Sequence, residues 1–104
     1  MIPVTPNLFI VGQPKSGTSA VFSYLRQHQD VVACKVKEPQ YFCDDINSQY
    51  FYLSKTERTL SNYLALYPNR SARYHIEAST AYLYSRVAAE NLYRFNPQAR
   101  IIIM

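Results

Sequence analysis

Leu8-Phe9-Ile10-Val11-Gly12-Gln13-Pro14-Lys15-Ser16-Gly17-Thr18-Ser19 reads as a strand, a turn and the opening of a helix in direct succession. Leu8 to Val11 is a short apolar run, the signature of a buried strand. Gly12 to Gly17 holds both glycines of the chain, and from Thr18 the pattern changes to helical spacing. A loop of this kind turns backbone N–H groups inward. The first helical turn adds donors without intrahelical partners and the positive end of the helix dipole, so the unit is an anion cradle. Glycine belongs where a Cβ would obstruct the anion or where φ is positive. Lys15 adds a point charge at the rim.

The nucleotide-binding loop G-x-x-x-x-G-K-[ST] has the same glycine spacing, but its lysine follows the second glycine. Here Thr18 stands there and the lysine lies inside the loop. A lysine after the second glycine reaches the β- and γ-phosphates of a nucleoside triphosphate; one inside the loop sits nearer the first phosphate and its leaving bond. Pro14-Lys15-Ser16-Gly17-Thr18 resembles the 5′-phosphosulfate loop of the sulfotransferases, which use 3′-phosphoadenosine 5′-phosphosulfate (PAPS) as donor. The resemblance implies that Lys15, Ser16, Gly17, Thr18 and Ser19 bind the donor and that Lys15 is also catalytic.

Downstream, Val21, Tyr24, Leu25 and His28 fall on one face of a predicted helix that leaves through the polar stretch Gln27–Asp30. His28 is expected as a capping or surface residue rather than a base. Val31 to Val36 predicts a second strand, running into Lys37-Glu38-Pro39-Gln40-Tyr41-Phe42. Pro39 is expected to hold Glu38 in extended geometry, which places a carboxylate at the carboxyl end of a strand, where ligands of open α/β sheets bind. Taken alone, Lys37-Glu38 reads as a surface pair before a turn. The string is nevertheless similar to the Lys-Glu-Pro-His-Phe-Phe of bacterial sulfotransferases, and it lies where the heparan-sulfate enzymes carry their catalytic glutamate. The resemblance implies that Glu38 is the base that deprotonates the acceptor as it attacks sulfur. Lys37 has two readings, neutralisation of the donor or a solvated surface charge.

Residues 44–55 read as a loop whose aromatics, Tyr50-Phe51-Tyr52, are expected to pack in the core. Asp44 and Asp45 have no further ligands at metal-binding spacing, so no metal is assigned. A helix is predicted from Thr56, with Thr56 as N-cap and Leu60, Tyr63, Leu64 and Tyr67 on its inner face, ending at Pro68. Arg73 to Ala78 predicts a strand in which His75 is an ordinary strand residue. Glu77-Ala78-Ser79-Thr80-Ala81-Tyr82 resembles the family's Glu-Lys-Ser/Thr-Pro-x-Tyr segment, with Ala78 in place of the lysine and Thr80 in place of the proline. Glu77 and Tyr82 are expected to shape the cleft. Ser85 is a candidate N-cap for a last helix with Val87, Ala88, Asn91, Leu92 and Phe95 inside and Asn96-Pro97 as its stop. Ala99 to Met104 reads as an apolar strand resembling the family's strand before Arg-[DN]-Pro-x-x-Arg, the segment that supplies the 3′-phosphate site.

Composition narrows the classes. The chain of 104 residues bounds it to one domain, and 48% hydrophobic residues with 17% charged argue for a packed core. A formal charge of +4 suits an anionic ligand, yet the seven arginines and four lysines form no basic run, so no nucleic-acid partner is expected. Cys34 and Cys43 lack metal-type spacing and read as free thiols, consistent with a reducing compartment. With no signal or membrane-spanning stretch in view, a cytoplasmic location is expected.

Alternating strands and helices predict a P-loop-like, three-layer α/β/α fold with a parallel sheet. The resemblance covers nearly all of the chain but only the N-terminal portion of a sulfotransferase domain. It implies sulfuryl transfer from PAPS, without a metal, to a hydroxyl or amine of a small-molecule or glycan acceptor, with carbohydrate favoured. As an incomplete domain the chain is expected to bind donor poorly and turn over little. The alternatives are a kinase-like protein binding nucleoside triphosphates through an aberrant loop and a non-catalytic anion-binding remnant.

Overall fold

A computed structural model describes residues 4–12 and 17–104. Four strands form one all-parallel sheet: β1 (Leu8–Val11), β2 (Val31–Ala33), β3 (Tyr74–Ala78) and β4 (Arg100–Ile103), in the order β2-β3-β1-β4. Leu8 pairs with both Ile76 and Arg100, so the carboxyl ends of β1, β3 and β4 come out level. Among the described residues three α-helices lie between the strands: α1 (Thr18–Leu25), α2 (Leu60–Leu64) and α3 (Ala88–Phe95). This is the α/β architecture expected of the strand–helix alternation.

Side chains of successive strand residues point to opposite faces, and β1 shows it. Ile10 joins Phe22 of α1, Ile76 and Ala78 on one face. Phe9 and Val11 join Tyr63, Tyr67, Ala88 and Leu92 on the other. The inner strands are therefore covered on both sides, with α1 on one and α2 and α3 on the other, while the edge strand β4 leaves Ile101 and Ile103 exposed. An aromatic cluster fills the second side. Phe42 meets Phe9 and Tyr63 edge-on at 5.9 and 5.2 Å, while Tyr41 stacks on Tyr63 at 4.6 Å.

Several elements differ from the expectations. The buried face of α1 is Thr18 and Phe22, with Tyr24 76% exposed, because the helix stops at Leu25 and does not extend to His28. His28 serves the following turn, its Nδ1 accepting from the Asp30 amide, in keeping with a surface role. The second strand ends at Ala33 rather than Val36. Helix α2 is a short piece capped by Thr59, whose hydroxyl accepts from the Asn62 amide, not a long helix capped by Thr56. Tyr50 and Tyr52 lie on the surface, 60% and 56% exposed, rather than in the core. Phe51 of that loop lies under the Arg58 guanidinium, 4.0 Å from its ring centre. His75 is a buried strand residue whose Nε2 meets the Arg70 carbonyl. The N-cap of α3 is Val87 rather than Ser85, although the Ser85 hydroxyl accepts from the amides of Val87 and Ala88 and is itself held by Asp45.

Candidate active site

The carboxyl edge of the sheet gathers the two motifs. The amide of Met104 donates to the Val11 carbonyl, and the amide of Ser79 to that of Ile10. At Gly12 the backbones crowd. A Cβ there would lie 2.8 Å from Met104 Cβ and 3.0 Å from its carbonyl oxygen, so the close approach of β4 demands glycine. Gly17 needs glycine for another reason. It is the N-cap of α1 at φ 96°, in the left-handed region, and its side has room. Gly17 and Ser19 are exposed at this helix start, Thr18 is buried beneath it, and no acidic residue occupies the first turn. The N–H groups of that turn have no intrahelical acceptors and the dipole favours an anion. Lys15 and Ser16 lie outside the described residues.

The second motif reaches the same place. Lys37 donates from Nζ to Ser19 Oγ, which brings a cation to the start of α1. The next residue, Glu38, donates its amide to the carbonyl of Ala78, the last residue of β3, at 2.8 Å. Glu38 is thus at the carboxyl edge, as expected, although β2 itself ends at Ala33. Its backbone is not extended, however. Glu38 has φ 60° and Gln40 φ 53°, both left-handed. Pro39 disfavours the right-handed helical region for Glu38, but the bond to Ala78 and the anchoring of the following residues override the extended preference. Each such residue costs about 1–2 kcal/mol, and this strain is held by the surroundings.

Those surroundings account for the backbone of the loop almost group by group. The Gln40 amide donates to Ser79 Oγ at 3.0 Å, and the amides of Tyr41 and Phe42 donate to the Tyr82 hydroxyl at 3.0 and 3.2 Å. On the carbonyl side, Arg58 Nη2 donates to the oxygens of Gln40, Tyr41 and Cys43. Asn91 of α3 donates to that of Phe42. The Glu38 carboxylate is aimed by Thr80. Oε1 accepts from the Thr80 amide at 3.3 Å and from its hydroxyl, and Oε2 has no hydrogen bond among the described residues. The result is a half-buried carboxylate with one oxygen tethered, one residue from a lysine at a helix N-terminus.

Sequence reading missed Thr80, Ser79 and Arg58 as supports of this loop. The departure from the family's proline at Thr80 was the available signal, because a hydroxyl there can bond a carboxylate and a proline cannot. Glu77 does not line a cleft, being fully buried within the second side of the core, whereas Tyr82, itself mostly buried, borders a cavity with Val11, Leu92 and Tyr93. Cys34 and Cys43 are buried free thiols, each pushed up to about 12 by burial, so neither is a nucleophile near neutral pH. Among the described residues no helix is long and apolar enough to cross a membrane.

The chain is similar to a solved sulfotransferase from Alicyclobacillus acidocaldarius, with a TM-score of 0.83 and 33% sequence identity. The match covers 98% of this chain and 44% of that one, so the chain spans less than half the length of its relative. No family model and no curated protein matches the sequence. The likeness to sulfotransferases read from the motifs therefore extends to the whole described backbone: the chain has the fold of part of a sulfotransferase.

Proposed function

We propose that this chain carries the 5′-phosphosulfate-binding loop and the acceptor base of a PAPS-dependent sulfotransferase. The observation that carries the reading is the meeting of the two motifs: Lys37 bonded to Ser19 at the start of α1, and Glu38 beside it at the carboxyl edge of the sheet. The helix N-terminus, Gly17 and the cation of Lys37 suit a sulfated or phosphorylated anion. Lys15 and Ser16 complete the loop in sequence.

In the proposed reaction the acceptor oxygen or nitrogen attacks sulfur in line, the bond from sulfur to the bridging phosphate oxygen breaks, and the acceptor's proton passes to Glu38. Lys15 stabilises the charge that develops on the bridging oxygen. Positioning and electrostatics supply most of the acceleration, by analogy with phosphoryl transfer. The half-buried carboxylate, tethered through one oxygen, can hold a fixed direction toward the acceptor and still take a proton on the other. A carbohydrate acceptor is the reading favoured by the likeness of Lys37-Glu38-Pro39 to the glycan-modifying enzymes.

Calorimetric titration tests the donor site. 3′-Phosphoadenosine 5′-phosphate is expected to bind in preference to ATP with Mg²⁺, and Lys15→Ala to weaken it; preference for ATP overturns the reading. For the base, Glu38→Ala in a protein carrying the whole domain is expected to lower turnover by about 10²–10⁴ while donor binding is retained. Unchanged turnover removes Glu38 from the role.

A further inference from the structure

Glu77 is a fully buried carboxylate on the central part of the sheet, and the reaction proposed above gives it no part. Burying an ion costs several kcal/mol unless hydrogen bonds or a counter-charge compensate. Among the described residues the one ion pair is Arg94 with Glu90, on the exposed side of α3, so Glu77 relies on hydroxyls. Oε1 accepts from Ser79 Oγ at 2.6 Å. Oε2 accepts from the hydroxyls of Tyr63 and, at 3.3 Å, Tyr82. Tyr67 stands behind Tyr63, hydroxyl to hydroxyl at 2.9 Å.

Each hydroxyl has a single proton. Burial raises the phenols of Tyr63, Tyr67 and Tyr82 well above their usual range, so all three keep theirs. A proton that points at Glu77 leaves the lone pairs of Ser79 and Tyr82 facing the other way. Those lone pairs receive the amides of Gln40, Tyr41 and Phe42. Ionised, above about pH 7, Glu77 is acceptor-only; it then makes acceptors of two hydroxyls, and they hold three successive amides of the left-handed loop.

We propose that Glu77 is a positioning residue that acts on Glu38 through Ser79 and Tyr82, by orienting their hydroxyls to grip the backbone of residues 40–42. The control of Glu38 therefore runs through the core. Removing the carboxylate frees the two hydroxyl protons to turn toward the loop, where they meet N–H donors and the grip is lost. The other titratable groups around Glu77 are Tyr63 and Tyr67 from the α2 side, Tyr82, Cys34 and Cys43, all neutral near pH 7 by the raised values above. The inference about catalysis rests on the proposed role of Glu38; the inference about the loop does not.

Site-resolved amide hydrogen exchange by NMR above about pH 7, where the Glu77 carboxyl is ionised, tests it with three variants. Tyr82→Phe is expected to speed exchange at Tyr41 and Phe42 by about tenfold or more, Ser79→Ala at Gln40, and Glu77→Gln at all three, with the amides of β1 and β3 unchanged. Glutamine matches glutamate in volume, so a role in packing alone leaves the three amides unmoved in a folded Glu77→Gln. Should that variant fail to fold, the separate patterns of Tyr82→Phe and Ser79→Ala decide. Unchanged exchange at residues 40–42, or a rise shared equally by β1 and β3, overturns the proposal. Where turnover is measured, kcat per folded molecule falls in Glu77→Gln while the donor KM is kept. A protein carrying the whole domain that shows no sulfuryl transfer defeats the proposed function, and the exchange pattern still judges the loop.

Discussion

Replacing Glu77 by glutamine should flatten the dependence of stability on pH. Burial pushes the Glu77 carboxyl from its ordinary 4.5 up to about 7, against the lowering effect of hydrogen bonds from Ser79, Tyr63 and Tyr82. Below about pH 4.5 both the folded and the unfolded chain hold the proton, and the stabilisation is fully present. Between the two values the unfolded chain releases a proton that the folded chain retains, so stability falls as pH rises, and above about 7 the loss is complete. At 1.36 kcal/mol for each pH unit, the loss is on the order of 3 kcal/mol. Against a total of roughly 5–15 kcal/mol for a domain, that is large enough to measure without ambiguity. Asp45 does not interfere, because hydrogen bonds from Ser85 and Arg86 hold it below its ordinary 3.8, outside the window. Urea unfolding followed by circular dichroism from about pH 5 to pH 8, in wild type and Glu77→Gln, isolates the contribution as a difference. A slope that survives unchanged in Glu77→Gln refutes the reasoning, since it would mean that the buried carboxyl does not titrate in this range.

Gly12→Ala should destabilise the fold by about 1–3 kcal/mol, because its Cβ would meet the Cβ and backbone of Met104 rather than the far end of a flexible side chain; a wild-type melting temperature would argue against that close approach. Thr80→Val keeps the amide but loses the hydroxyl that bonds Glu38 Oε1, and is expected to lower kcat about tenfold with donor affinity unchanged, as steady-state kinetics would show. Lys37→Met should weaken binding of 3′-phosphoadenosine 5′-phosphate in low salt and do so less in high salt, since Lys37 is exposed; equal affinity for the variant at low salt would assign Lys37 to the solvated surface.

The sequence by itself determined the parts whose signals are local. The apolar run Leu8–Val11, the paired glycines and the stop at Asn96-Pro97 each state their role within a few residues, because strand burial, positive φ and helix termination are short-range effects. Two motifs in family order were enough to indicate the kind of fold. Only the tertiary structure decided how Glu38 is held. Its left-handed backbone contradicts the local preference before Pro39, and the groups that enforce it lie about 40 residues away at Ala78, Ser79, Thr80 and Tyr82. The same holds for α2, a short helix capped by Thr59 instead of the long one its apolar spacing suggested, with Tyr63 bonded to the buried carboxylate and Tyr67 to Tyr63. Hydrogen bonds between distant residues leave no periodicity in the chain; they exist only once parallel strands have brought the carboxyl edges of the sheet level.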